Sequence, residues 1–378
     1  MDSLFHNTTV KFVVMDVGEM SLRDQRQQEF AQKWIERGKF GILNLCPRFG
    51  KCRTAILIMK EIKPKKVLIA YPDEKIRKGW ENDFQIMDYD TDHVEYTTHL
   101  SLKKHVEDRY DLIIIDEIHL LSEAQKKVCV ELFKNNKQVL GLTGTLSRNT
   151  RADLADDINM HVIAVYPVEK AIEEGVLPDY EINIIKVPLD RQRLHKYSRN
   201  VMMSEKKRFD QLSYIIDQMD KKGADPKFMR FGRMRIIQSS WAKTLKTREL
   251  LQQHADERIL VFCGITKIAD DLGIPSYHSN SEDKKVFDDF AVGKGNHLAV
   301  VKIGNTGVTY KPLKMVIINY FDSNSENLAQ KINRCMSMEY DNPGKKAVIY
   351  IISSDEDVEL NWLRRALEFF DKHKIKYL

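Results

Sequence analysis

Asp111-Leu112-Ile113-Ile114-Ile115-Asp116-Glu117-Ile118-His119-Leu120-Leu121 reads as one strand and its exit. The unbroken apolar run Leu112–Ile115 predicts a strand covered on both faces, the kind found in a parallel sheet flanked by helices. Ligands of such sheets sit beyond the carboxyl ends of the strands. Asp116 and Glu117 are delivered there side by side, a pattern suited to holding a metal and polarising a water. The plain alternative is a strand end that is acidic by chance, and the flanking units decide between the two.

Toward the amino terminus, Met20–Gly38 predicts a helix with Ser21 as its N-cap and Leu22, Phe30, Trp34 and Ile35 on its apolar face. A strand, Phe40–Leu45, then runs into Cys46-Pro47-Arg48-Phe49-Gly50-Lys51-Cys52, and a helix is expected over Thr54–Ile62. Strand, tight Gly-Lys loop and helix form the setting in which a phosphate-binding loop is credible. The helix start offers N–H groups and a positive dipole end, and Lys51 would reach the β and γ phosphates. Leu45 and Arg48 stand where small residues are usual, and Cys52 stands where Ser or Thr would bind magnesium. A lysine on a solvated turn is the alternative reading of the pair taken alone.

The next units are the strand Lys66–Pro72, a helix Glu74–Phe84 carrying Trp80, the short segment Val94–Thr98, and the Asp111 strand itself. A helix Ser122–Asn135 and a strand Val139–Thr143 follow, the strand exiting through Gly144, Thr145 and Leu146. Alternation of this kind specifies a doubly wound parallel sheet. It brings the Gly-Lys loop and the acidic pair to one edge.

The 378 residues suit two or three domains, and a composition of 43% hydrophobic and 30% charged residues is that of a globular chain. A net charge of +5 permits a nucleic-acid partner without requiring one. The five scattered cysteines contain no CxxC pair, which speaks against a disulfide framework or zinc site and for a reducing cytoplasm. The sequence shows no signal peptide or membrane-length apolar run. A β-like segment is expected at Thr8–Val17. Between Arg191 and Arg248 basic residues, Arg230, Arg233 and Arg235 among them, outnumber acids and interleave with Phe228, Phe231 and Trp241. That pairing of phosphate neutralisation with stacking surfaces suits single-stranded nucleic acid, and a solvated helical insertion broken by a turn at Gly223–Pro226 is the alternative. The tail from Asp355 to Leu378 predicts one helix with Leu360, Leu363, Leu367 and Phe370 on a stripe that packs on the core.

The order of these motifs resembles that of the superfamily-2 helicases. A glutamine motif falls at Gln25, with Gln27 straddling the expected position; then come Gly50-Lys51, Pro72, Thr98–Leu102, the Asp116–His119 box and Thr143–Thr145. In the second half, Ala171–Leu177 resembles the segment that opens the second domain of UvsW-like phage helicases and type III restriction helicases. Ile259–Phe262 followed by Cys263-Gly264 is similar to motif IV. The strand Leu298–Ile303 running into Gly304–Thr309 is similar to motif V, and Gln330–Ser337 to motif VI. A further strand is expected at Val316–Asn319.

The resemblance implies two tandem RecA-like domains, about 1–160 and 161–378, with ATP in the cleft between them. The basic helical insertion would fall at 190–250 and the terminal helix at 355–378. It assigns ATP contacts to Gln25, Pro47, Arg48, Phe49, Gly50, Lys51, Cys52 and Gly307, and magnesium to Asp116, with Cys52 at the second metal position. Glu117 would orient and deprotonate the attacking water, completed by Gln330 and by Arg334 from the second domain, while His119, Thr143 and Thr145 couple the site to motion. Nucleic acid would cross Pro72, Thr98, Ser101, Gly264, Asn305 and Thr306, and the insertion would add Arg230, Arg233 and Arg235. Two departures stand out: Ser337 replaces the second motif-VI arginine, and the Cys52 thiol is a poor ligand for a hard cation. The expectation is a cytoplasmic, monomeric, ATP- and Mg2+-dependent helicase or translocase of single-stranded or branched DNA, phage-like in its compactness. RNA as the polymer, or a nucleic-acid-binding module with a weakened ATPase, are the alternatives.

Overall fold

The computed structural model describes residues 20–144, 146–198, 201–281, 283–301, 313–322, 325–335, 346–368 and 370–378. The expected segment Thr8–Val17, and Thr145, Asn305, Thr306, Gly307 and Ser337, lie outside them.

The first domain opens with α1 (Leu22–Glu36), whose N-cap Ser21 accepts a hydrogen bond from the Asp24 N–H. Then follow β1 (Phe40–Leu45), α2 (Lys51–Ile62), β2 (Val67–Tyr71), α3 (Arg77–Ile86), β3 (Val94–Thr98), β4 (Leu112–Ile115), α4 (Glu123–Asn135), β5 (Val139–Thr143), α5 (Arg148–Ile158) and β6 (Val162–Tyr166). The sheet order is β3-β2-β4-β5-β1-β6, and every pairing is parallel. All of Leu112–Ile115 is buried, as a strand covered on both faces requires. Ser122 and Gln125 form a reciprocal capping box at the start of α4. The first sheet takes β6 from beyond residue 160, so the boundary expected there falls one strand too early.

A connector helix, α6 (Val168–Glu173), leads to the second domain: β7 (Asp179–Val187), the hairpin β8 (His195–Ser198) and β9 (Val201–Met203), α7 (Glu205–Lys221), α8 (Lys227–Gln238), α9 (Trp241–Gln253), β10 (Ile259–Cys263), α10 (Thr266–Asp271), β11 (Ser276–Tyr277), α11 (Lys285–Ala291), β12 (His297–Val301), β13 (Met315–Ile318), α12 (Ser325–Ile332), β14 (Lys346–Ser354), α13 (Asp357–Ala366) and β15 (Ile375–Tyr377). Its sheet runs β11-β12-β10-β13-β14-β7-β15, again parallel throughout. These are two RecA-like parallel-sheet domains in tandem.

Two expectations change here. The tail is not one helix: α13 ends at Ala366, and Ile375–Tyr377 adds an edge strand along β7. An unpaired sheet edge supplies hydrogen bonds that three residues of local propensity do not outweigh. The helical insertion also ends before α9. Leu250 and Leu251 of that helix pack into the cluster formed by β10, β12 and β13, so α9 is a covering helix of the second sheet. What stands apart is the hairpin with α7 and α8, which share a small core of Leu189, Phe209, Leu212, Ile236 and Ile237.

Behind the second sheet lies a buried ion pair. The Lys243 ammonium on α9 donates to the Glu359 carboxylate on α13, and their side chains are 1% and 0% exposed. Glu359 also accepts the Ser354 N–H at 2.7 Å, and Lys243 reaches the Asn319 carbonyl at 3.4 Å. These contacts answer the desolvation that each charge suffers on burial.

Candidate active site

β1 delivers Cys46–Gly50 to the carboxyl edge of the first sheet, and the loop is held from α1. The Gln27 amide donates to the Phe49 carbonyl at 2.7 Å. The Phe49 ring packs against Phe30 (centroids 5.7 Å apart) and Tyr166 (4.8 Å). Gly50 caps α2 in the left-handed region, φ 101°, and a Cβ there would stand 2.4 Å from the Gln27 amide nitrogen, so backbone and neighbour both demand glycine. α2 begins at Lys51 rather than Thr54, and no side chain caps its start. Such a helix start presents backbone donors and a positive dipole end to an anion. Arg48 also adopts a left-handed backbone, φ 66°. Pro47 lies near Gly144, where an added Cβ would meet its ring at 3.1 Å and the Lys51 ammonium at 2.9 Å. Gln25 does not reach this loop: it is exposed, and its amide donates to the Met20 carbonyl.

The Lys51 ammonium lies 3.0 Å from Glu117 Oε1. Burial would lower the lysine pKa, but Glu117 and Asp116 outweigh it and hold the group charged. Asp116 is fixed on every side. Its N–H donates to the Ala70 carbonyl at 2.8 Å, and its carboxylate accepts from the Trp80 indole and from the Glu117 N–H, both at 3.0 Å. Its carbonyl accepts from His99 Nε2 at 3.0 Å. Burial, and next the Glu117 charge, push the Asp116 carboxyl up to about 6. For Glu117, burial pushes upward but Lys51 and then His119 prevail, leaving it below the usual carboxylate range. Glu117 itself sits in the left-handed region, φ 47° and ψ 50°, which is strained for a non-glycine residue. His119 Nδ1 lies 2.9 Å from the Thr143 hydroxyl and 3.5 Å from Glu117 Oε2, linking β4 and β5 at their ends.

The residues fit a magnesium–nucleotide. A magnesium ion needs only one or two protein carboxylates when phosphates and water complete its shell, and Asp116 beside the α2 start offers one. Among the described residues no cluster of three or more His, Cys, Asp or Glu side chains forms a protein-only metal cage. Cys52 stays a weak donor, because burial and then the Asp116 charge raise its thiol well above the ordinary cysteine range. Thr54 offers no substitute: its hydroxyl turns back to the Gly50 carbonyl at 3.2 Å.

Pro72, Thr98 and Ser101 lie half-buried at the ends of β2 and β3. In the second domain Gly264 follows β10, and a Cβ on it would meet Tyr320 at 2.9 Å and Gln238 at 3.0 Å. Gln330 is carried on α12, and Arg334 is buried in the short 3-10 turn Asn333–Cys335. Between them, Lys331 donates to the Tyr320 carbonyl at 3.0 Å, and burial lowers its ammonium to about 8. The three arginines differ. Arg230 is exposed and paired with Asp220 at 2.9 Å. Arg233 is half-buried against Phe209 and donates to Ser213 at 3.2 Å, and Arg235 is exposed. Phe228 and Phe231 are exposed, but Trp241 has Arg193 over its ring at 4.0 Å and Arg248 at 5.4 Å.

Sequence reasoning missed the contacts of Trp80, Gln27 and His99. Only Gln27 carried a signal: with Phe30, Ala31 and Trp34 it forms the i, i+3, i+4, i+7 stripe that α1 buries, and Gln25 lies off that stripe.

Two RecA-like domains with a lysine, two carboxylates and a histidine at one sheet edge are the arrangement that the sequence resemblance to the superfamily-2 helicases leads one to expect. Residues 242–339 match the helicase conserved C-terminal domain family, which with the translocase relative indicates a nucleic-acid-dependent ATPase of the helicase kind. That relative is a DNA 3'-5' translocase, XPB2, of Sulfurisphaera tokodaii, 22% identical over 355 residues, covering 84% of this chain and 79% of that protein. The fold is similar to that of S. cerevisiae Dbp5 bound to RNA and ADP BeF3, with a TM-score of 0.60, 12% identity and coverage of 93% of this chain and 89% of that one. It is also similar to the Pyrococcus furiosus Hef helicase domain, with a TM-score of 0.52, 14% identity and coverage of 89% and 96%. No helix among the described residues is long and apolar enough to cross a membrane.

Proposed function

We propose that the chain is a DNA translocase or helicase that acts on single-stranded or branched DNA, using Mg2+ and ATP. The observation that carries this is the convergence of Lys51, Asp116 and Glu117 at the start of α2. Pro47–Cys52 line the phosphate site, Asp116 holds the magnesium, and Glu117 takes the proton of the attacking water. Lys51 lies on Glu117 in this structure; when phosphate oxygens draw it away, Glu117 loses the partner that depresses its pKa and becomes a better base. Gln330, Arg334 and Gly307 complete the site from the second domain, and His119, Thr143 and Thr145 relay its state. Nucleic acid crosses Pro72, Thr98, Ser101, Gly264, Asn305 and Thr306, and continues onto α8. The DNA assignment leans on the XPB2 relative, and the preference for branched DNA on the resemblance to UvsW-like phage helicases.

The test is ATP turnover measured side by side with single-stranded DNA, forked DNA, a four-way junction and RNA. Stimulation by DNA forms above RNA supports the reading, and stimulation by RNA alone replaces it with an RNA helicase. The second reading, a nucleic-acid-binding module with a weakened ATPase, is favoured by the raised Cys52 thiol. It predicts binding of all these polymers with turnover unchanged by any of them.

A further inference from the structure

The peptide unit between Asp116 and Glu117 is gripped at both ends. Its N–H donates to the Asp116 carboxylate at 3.0 Å, and its carbonyl accepts from His99 Nε2 at 3.0 Å. A carbonyl only accepts, so Nε2 carries the hydrogen. Rotating this unit changes the Asp116 ψ and the Glu117 φ together, and Glu117 already holds the strained φ of 47°. Whatever fixes the carbonyl therefore fixes where the Glu117 carboxylate stands relative to Lys51.

His99 does not belong to the acidic strand. It opens the 3-10 segment His99–His105 after β3, between Thr98 and Ser101, the residues proposed to meet nucleic acid. The segment alternates sharply: His99 is 3% exposed, Leu100 85% and Leu102 0%. One side faces solvent while the histidine reaches down to the carboxylate strand.

We propose that His99 is a positioning residue that joins the nucleic-acid-facing segment to the catalytic base by setting the orientation of the Asp116–Glu117 peptide. This rests on the reading of the chain as a nucleic-acid-stimulated ATPase. Contact at Thr98–Ser101 moves the imidazole by fractions of an ångström, and the peptide transmits that shift to Glu117.

The test compares the parent with His99→Phe, which keeps a ring without the donor, and His99→Gln, whose amide nitrogen reaches about as far as Nε2. Turnover is measured against ATP with and without a saturating single-stranded DNA oligonucleotide, alongside the affinities for that oligonucleotide and for a non-hydrolysable ATP analogue. His99→Phe is expected to lose about tenfold or more in DNA-stimulated kcat, with KM and both affinities within about threefold of the parent. His99→Gln should recover a third or more of the parent kcat. Should His99→Phe not fold, His99→Asn against His99→Gln gives the same contrast, because Asn carries its amide one bond short. The proposal is overturned if the donor-less variants keep kcat within about twofold, if Gln fares no better than they do, or if affinity falls in step with kcat. A parent whose turnover no polymer stimulates would instead sink the functional reading itself.

Discussion

The two sheets share one architecture and use buried charge in opposite ways. At the carboxyl edge of the first, Lys51 and Glu117 stay 14% and 21% exposed, close enough to solvent for a ligand to rearrange them. Behind the second, Lys243 and Glu359 are sealed. On the proposed reading the open pair exchanges its contacts for phosphate and water, whereas the sealed pair joins α9 to α13 and has nothing to exchange with. A charge in a low dielectric is a reactive group when its partner can leave and an anchor when it cannot.

The sharpest break in this comparison is Glu117→Gln. Loss of the base is expected to cut turnover by about 10^2–10^4 fold, with ATP analogue and DNA affinities retained. Near-parent turnover would show that the open pair is not catalytic.

The sealed pair predicts a loss of stability instead. Lys243→Ala leaves Glu359 buried without its counter-charge and is expected to cost about 3–5 kcal/mol, read as a lower denaturant midpoint. The double variant Lys243→Met/Glu359→Leu should recover most of that cost, since both charges leave together. If the single variant unfolded at the parent midpoint, the pair would not be an anchor.

How much of this was legible in the sequence follows the same division. The convergence at the first site was readable because its groups stand at strand ends along one sheet edge: a fully apolar run such as Leu112–Ile115 fixes β4, and the sheet brings Lys51, after β1, to the same edge as Asp116. The sealed pair was not readable, because Lys243 and Glu359 lie on separate helices and meet only through tertiary packing. Trp241 shows the same limit. Read as an open stacking surface, it is covered by Arg193 from the chain's own distant loop. Gln25 and Gln27 differ only in which face of α1 they occupy, and the phosphate-loop contact goes to the residue on the buried stripe.

The insertion sharpens the comparison with a smaller effect, because its charges are on the surface. Removing one cation that neutralises a phosphate lowers the salt slope of DNA binding by about 0.7–0.9. Arg230 is offset by Asp220, and Arg233 is half-buried. The triple replacement of Arg230, Arg233 and Arg235 by Ala is therefore expected to lower the slope by nearer the value for one phosphate than for three, with Arg235→Ala alone giving most of it. An unchanged slope in the triple variant would make α8 a solvated face.

The smallest expected effect is at Cys52, and it tests how complete the open site is. The usual residue at this position gives magnesium a hard hydroxyl oxygen; here it is a half-buried thiol that burial and Asp116 keep protonated. A neutral thiol binds magnesium poorly, and manganese accepts softer ligands more readily. Thr54 does not fill the gap, since its hydroxyl is bonded to the Gly50 carbonyl. The parent should therefore show a manganese-to-magnesium ratio of ATPase rates above that of Cys52→Thr, by about twofold to fivefold if one ligand position is all that changes. The Thr variant should bind magnesium-ATP at least as well as the parent. If position 52 only packs, and water with Asp116 already completes the shell, the two proteins will give equal ratios. Rates measured against each metal at saturating DNA decide between these outcomes. Equal ratios would leave Asp116 as the sole protein ligand, placing the whole metal response on the residue that Trp80 and His99 hold in place.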